Sequence, residues 1–199
     1  MTEPDPSIPA TSPQPPSRDA ATLRVLDSRD EDLQAIQQIY AHHVEHGGGS
    51  FELEPPDIVE MMRRRADVLS HGFPYLVATR IDAAGAEQVL GFAYANFYRP
   101  RPAYRFTCED SVYVAPQGQR LGAGRALLAE LIRRCEALGL RQMVAVIGDS
   151  DNKASIGLHR DAGFDDAGVL RATGWKFGRW LDTVLMQRSL GAGASTAPE

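Results

Sequence analysis

The sequence predicts one mixed α/β domain, and three observations predict it. Runs with a period of two, rich in β-branched and aromatic residues, alternate with segments whose apolar residues recur at helical spacing. "YLVATRI" and "QVLGFAYANFY" flank the turn "DAAGAE", which is a hairpin signal. "SVYVAPQGQRLGAGRALLAELI", residues 111–132, passes from a β-branched stretch through a proline and three glycines into an apolar helical pattern.

Each element follows in order. "ATLRVLD" is a short strand. "SRDEDLQAIQQIYAHHVEH" carries Leu33, Ile36, Ile39/Tyr40 and His43/Val44 at helical spacing, with acids in its first turn, and "GGGS" ends it. "FELEPP" is extended. "DIVEMMRRRADVLSHG" is a second helix, opened by Asp57 and closed near Gly72. The hairpin comes next, broken by "RPRPAY" before the strand "RFTCEDSVYV". "AGRALLAELIRRCEALG" is a long amphipathic helix and "RQMVAVIG" a buried strand. "DNKASIGLHRDAGF" is a short helix ending at Gly163, with Phe164 placed for the apolar contact of a glycine cap. "AGVLRAT" and "RWLDTVLMQRSL" are the last two strands. The predicted order is β-α-α-β-β-β-α-β-α-β-β.

Residues 1–20 hold six prolines and neither a basic nor an apolar leader segment, so they read as a disordered tail rather than a signal peptide. Residues 191–199 read the same way, which leaves the domain at 21–190. At 199 residues, 43% hydrophobic, the chain can build one well-packed core. No apolar run approaches the ~20 residues of a membrane span. The net charge of −5 argues against nucleic acid as a partner. Cys108 and Cys135 suggest neither a metal pair nor a disulfide framework, so no metal is expected and the reducing cytoplasm fits.

Gly118, Gly122 and Gly124 lie where a strand meets a helix. Such a turn aims backbone N–H groups at one spot, with the positive end of the helix dipole behind them, so a phosphate or pyrophosphate is its natural guest. Arg120 and Arg125 add charge. The P-loop pattern fails for want of its lysine and hydroxyl. The dinucleotide pattern fails because Leu127 stands where the third glycine belongs. What remains is Q-x-x-G-x-G, Gln119 to Gly124, with a plain strand–helix connection as the other reading.

"VYVAPQGQRLGAGRALLAELI" resembles the acetyl-CoA-binding motif of the GNAT N-acetyltransferase superfamily. "IYAHHVEHGGGSFELEPP", "FPYLVATR", "GFAYANFYRPRPAYRFTCEDSVYV", "NKASIGLHRDAGF" and "GWKFGRWLDTVLMQRSL" resemble one branch of it, the phosphinothricin and methionine sulfone/sulfoximine N-acetyltransferases. The resemblance implies the acyl-CoA N-acyltransferase fold, a mostly antiparallel central sheet flanked by helices. It implies transfer of acetyl from acetyl-CoA, as co-substrate, to the α-amine of a small amino acid analogue. Gln119, Arg120, Leu121, Gly122, Ala123, Gly124 and Arg125 would hold the coenzyme pyrophosphate. Val112, Tyr113 and Val114 would pair with the pantetheine arm, Asn152 would touch it, and Arg160 would reach a phosphate.

In "FTCEDSVYV", alternation places Phe106, Cys108, Asp110, Val112 and Val114 on one face and Glu109, Ser111 and Tyr113 on the other. The resemblance puts the base at Glu109, with Asp110 as the weaker candidate, and a proton donor for the coenzyme thiolate at His159. "YRPRPAYRF" reads as an extended loop whose Arg99 and Arg101 suit carboxylate or phosphinate oxygens. The resemblance makes it the acceptor loop and sets Phe51, Glu52, Pro100, Tyr104, Glu109, Asp110 and Ser111 around the acceptor. It also implies a homodimer that uses "GWKFGRWLD". Two alternatives are an acetyltransferase for another small amine or a peptide amine, and an acyl-CoA-binding sensor without turnover.

Overall fold

A computed structural model describes residues 22–82 and 85–198. The predicted tail at 1–20, two residues of the "DAAGAE" turn and residue 199 lie outside the described residues. The elements come in the predicted order: β1 (Arg24–Asp27), α1 (Leu33–His46), α2 (Ile58–Ser70), β2 (Tyr75–Ile81), β3 (Glu87–Phe97), β4 (Thr107–Val114), α3 (Ala123–Ala137), β5 (Gln142–Gly148), α4 (Lys153–Asp161), β6 (Asp165–Lys176) and β7 (Arg179–Ser189).

The seven strands form one sheet in the order β1-β2-β3-β4-β5-β7-β6. Every pairing is antiparallel except β4 with β5, which α3 joins by the crossover that a parallel pair requires. Residues 191–198 continue in turns, with Arg141 donating to Thr196 Oγ1 at 3.2 Å.

The alternation in "GFAYANF" builds the two layers. Gly91, Ala93 and Ala95 lie on the α3 face, where a Cβ on Gly91 would stand 3.2 Å from Leu127. Their smallness lets α3 pack close, burying Leu127, Leu128, Leu131, Ile132 and Cys135. On the α1 face Phe92 and Tyr94 stack with Tyr75, and Tyr113 lies between Phe92 and Tyr40 at 5.0 Å from each. α1 buries the predicted stripe of Leu33, Ile36, Ile39, Tyr40 and Val44.

Two helix ends form as the sequence predicts. Asp57 caps α2, its side chain accepting from Glu60 N–H at 2.8 Å. Beyond α4, Gly163 takes φ +82°, and the N–H groups of Gly163 and Phe164 bond the carbonyls of Arg160 and His159. Phe164 is buried with its ring edge on His159, 5.0 Å between centroids.

"GWKFGRWLD" forms the tip of the β6–β7 hairpin. Phe177 and Gly178 both have positive φ, the mirror-image turn that suits strand twist. Lys176 reaches back from this tip to the glycine loop after α1, donating to Ser50 O at 2.7 Å and Gly47 O at 3.1 Å.

Gly118 serves packing. A Cβ there would stand 2.4 Å from the Leu90 carbonyl oxygen, which already accepts from Ala115 N–H. Gly118→Ala is expected to cost about 1–3 kcal/mol by overpacking. Urea denaturation at neutral pH checks this as a lowered midpoint with an unchanged slope.

Candidate active site

The site is built where β4 and β5 part. Their pairing runs from Thr107↔Gln142 to Asp110↔Ala145 and goes no further. Beyond that point β4 continues along β3, and β5 continues along β7 to Gly148. A cleft of about 710 Å³ fills the opening, lined by residues 110–114 of β4, 145–148 of β5, the glycine turn and the inner side of α4. Val112, Tyr113 and Val114 therefore line the cleft from the edge of β4 that β5 has left. The carbonyl of Val114 accepts from His43 Nε2 at 3.0 Å. Burial, the largest influence, lowers the His43 pKa.

At the mouth of the cleft, Pro116–Gly118 form a short 3-10 turn. Arg120 and Gly122 then take φ +59° and +85°, and Ala123 starts α3. The N–H groups of Ala123, Gly124 and Arg125 precede the helix's first hydrogen bond, from Ala126 to Gly122. Glycine is needed at 122 for its left-handed backbone and at 124 for closeness, since a Cβ there would lie 3.3 Å from Val114 and 3.4 Å from Leu158. Gln119, Arg120 and Arg125 line the same mouth, Arg125 with an exposed partner in Asp161 at 3.1 Å, and Leu121 is exposed beside them. Asn152 lines the cleft and caps α4, accepting from Ser155 N–H at 3.2 Å. Arg160 lies outside the lining and is held by both oxygens of Asp166 at 3.0 Å.

Glu109 and Asp110 stand at the last paired positions of β4 and point to opposite faces. On the α1 face Glu109 is half-buried between Asn96 of β3 and Val144 of β5. Burial pushes its carboxyl up, the Arg99 charge opposes this and Asp110 adds to it, leaving the carboxyl above its ordinary range. Ser111 stands opposite Tyr94 of β3 on the same face.

Asp110 turns to the face opposite Glu109, as the strand alternation predicts. There its Oδ2 lies 2.9 Å from His159 Nε2 on α4, and both side chains are buried. Desolvation lowers the His159 pKa, but the Asp110 hydrogen bond and charge and the Ser155 carbonyl outweigh it, leaving the imidazole above its ordinary range.

The loop after β3 departs from the extended form expected. Pro102 opens a one-turn 3-10 helix, Pro102–Tyr104, with Tyr104 N–H on Arg101 O at 2.9 Å. Arg99 lies over the Tyr98 ring at 4.4 Å, close enough for its charge to act on Glu109. Arg101 is exposed, and Pro100 lies in the bend between the two arginines. Tyr98 and Tyr104 wall a second cavity of about 240 Å³ with Thr107, Gln142, Val144, Ala167, Leu185 and Gln187. Thr107 and Val144 place it on the face that carries Glu109.

Glu52 is engaged by Arg64 at 2.6 Å and by Tyr40 Oη at 2.8 Å. Phe51 packs on the hairpin, where a Cβ on Gly174 would lie 2.5 Å from its ring. The sequence reading missed His43 and the β5 wall from Ala145 to Gly148. The paired histidines of "AHHVEH" were the one available signal for His43.

The acetyltransferase (GNAT) family model matches residues 36–164. The chain belongs to that family. It is 57% identical over 183 residues to a phosphinothricin N-acetyltransferase of Alcaligenes faecalis, covering 92% of this chain and 89% of that protein. It is 41% identical to an L-methionine sulfoximine/L-methionine sulfone acetyltransferase of Pseudomonas aeruginosa, over 83% of this chain and 94% of that protein. Among solved structures, a GNAT superfamily phosphinothricin acetyltransferase from Sinorhizobium meliloti in complex with AcCoA superposes with a TM-score of 0.82 at 48% identity. That match covers 90% of this chain and 94% of the other. This GNAT protein is an acetyltransferase.

The raised Glu109 carboxyl sets a pH-dependent cost. Ionised at neutral pH it is less comfortable folded than unfolded. Protonated in both states at low pH, it costs nothing. Glu109→Gln is therefore expected to stabilise the protein at about pH 7, with the gain shrinking toward about pH 4. Paired urea denaturations at the two pH values check the sign.

Proposed function

We propose that this chain transfers acetyl from acetyl-CoA directly to the α-amine of a small amino acid of the phosphinothricin or methionine sulfone/sulfoximine kind. The observation that carries this is the parting of β4 and β5 beside Glu109. One cleft there runs from the glycine turn to Asp110 and Ser111, next along β4 to a half-buried carboxylate whose pKa is raised.

The glycine turn, with Gln119, Arg120 and Arg125, would hold the pyrophosphate, and the free edge of β4 from Val112 to Val114 would pair with the pantetheine amides. An amino acid's amine is mostly protonated at neutral pH. A carboxylate with a raised pKa takes such a proton better than an ordinary one, which supports Glu109 as the base. The amine then forms the C–N bond, the C–S bond breaks, and the sulfur takes a proton from His159 on the other face.

Cys108 is unfit as an acetyl carrier. Its interaction with Cys135 and its burial push its thiol well above the ordinary range, so a thiolate is disfavoured. On the acceptor side, Arg99 and Arg101 supply cationic partners for carboxylate and tetrahedral oxygens. The 240 Å³ cavity behind Tyr98 and Tyr104 suits a short side chain.

We also infer a cytoplasmic homodimer. Trp175, Phe177 and Trp180 are each more than half exposed at the hairpin tip, and aromatic residues of this kind favour interface cores. A monomer in sedimentation velocity would overturn that part.

The test of the reaction is release of coenzyme A thiol, followed colorimetrically. Acceptors are phosphinothricin, methionine sulfone, methionine sulfoximine, methionine and a lysine peptide. Fast release is expected with the tetrahedral amino acids. Glu109→Gln is expected to lower kcat by about 10²–10⁴-fold while leaving acetyl-CoA affinity nearly unchanged. Release with the peptide alone, or none despite tight coenzyme binding, would overturn the proposal.

A further inference from the structure

The Asp110–His159 pair lies on the sheet face opposite Glu109, between residues 49 positions apart. The two side chains are only 1% and 4% exposed. His159 Nδ1 lies 2.8 Å from the Ser155 carbonyl oxygen, which can only accept, so Nδ1 carries a hydrogen. Nε2 then faces Asp110 Oδ2 either as a second N–H on a carboxylate or as a lone pair receiving the carboxyl proton.

The surroundings favour the first form. Among the described residues, Asp110 is the charged group acting on the ring, while Ser155 Oγ lies 3.4 Å from Nδ1 and Phe164 offers only a ring edge. Glu109 and Cys108, the titratable neighbours of Asp110 on β4, are a half-buried carboxyl on the other face and a thiol held protonated.

Among the described residues Asp110 Oδ1 has no hydrogen-bond partner. Buried ion pairs contribute little to net stability. Asp110 and His159 both line the cleft.

We propose that Asp110 is a positioning residue for His159: it fixes the ring and keeps it an imidazolium on the wall of the cleft where the coenzyme sulfur would depart. This rests on the acetyl-transfer reading above. As the C–S electrons pass to sulfur, the Nε2 proton follows and gives up its hydrogen bond to Asp110, because Nδ1–H is held on the Ser155 carbonyl. The pair is left as neutral imidazole and carboxylate until solvent returns the proton. Nothing is oxidised or reduced.

Asp110→Asn is the test, because it keeps the shape and offers an N–H to Nε2, which favours neutral histidine. The first readout is the ¹H–¹⁵N spectrum of the histidine rings in substrate-free protein across pH. Wild-type His159 should keep both ring N–H groups at neutral pH, and the Asp110→Asn protein should lose one.

The second readout is the pH profile of kcat. The variant should lose about tenfold or more at neutral pH, with both KM values nearly unchanged and its alkaline limb moved to lower pH. The double variant Asp110→Asn/His159→Gln should be no slower than His159→Gln alone.

A neutral His159 in the wild-type protein would overturn the proposal, even if Asp110→Asn fails to fold. A kcat profile that falls in height without moving along pH would reduce Asp110 to a structural role and overturn it equally. The ring titration needs no substrate, so a protein that fails to acetylate the amino acids yet shows the charged ring separates this inference from the reading beneath it.

Discussion

The site depends on a constraint on hydrogen bonding: β4 and β5 pair over four positions and then part. Each strand keeps its antiparallel partner on the far side, β3 for one and β7 for the other, so the sheet stays whole around the gap. A buried strand edge with unpaired N–H and C=O groups is costly unless something satisfies it. One edge carbonyl, that of Val114, is met by His43. A ligand with its own amides is the natural partner for the rest. The gap also opens the cleft, which the buried Asp110–His159 pair and Ser111 line one residue beyond Glu109.

Much of this frame was legible in the sequence because local rules agreed with the global fold. "YLVATRI" and "QVLGFAYANFY" announced a hairpin, and the structure turns the small face of the second strand to α3 and its aromatic face to α1. Asp57 and Gly163 marked helix ends that form as local chemistry dictates. The glycine turn was legible as a strand-to-helix connection on backbone grounds alone, although its glycines serve two different needs. Gly118 and Gly124 answer to close neighbours, and only Gly122 answers to a backbone angle.

What could not be read were meetings across the fold. His159 and Asp110 are brought together by the packing of α4 on the sheet, so neither residue signalled the other. His43 and the β5 wall join the cleft for the same reason. The arginine loop misled for a local reason: proline fixes its own φ but leaves open whether the chain runs on or turns, and at Pro102 it turns. Glu52 was visible as an acid near the site, while its engagement by Arg64 of α2 was not.

The placement of two unlike carboxyl groups on adjacent residues makes strand register a chemical variable. Side chains alternate strictly along β4, so a slip of one residue against Gln142 and Val144 would move Glu109 into the seat beside His159 and turn Asp110 toward the arginine loop. The same slip would turn Tyr113 away from Phe92 and Tyr40, so the core would register it together with the two carboxyl groups. Single-residue insertions or deletions in this strand are thus a distinct class of lesion, damaging chemistry in proportion to parity rather than to size. A compensating second slip restores what the first removed.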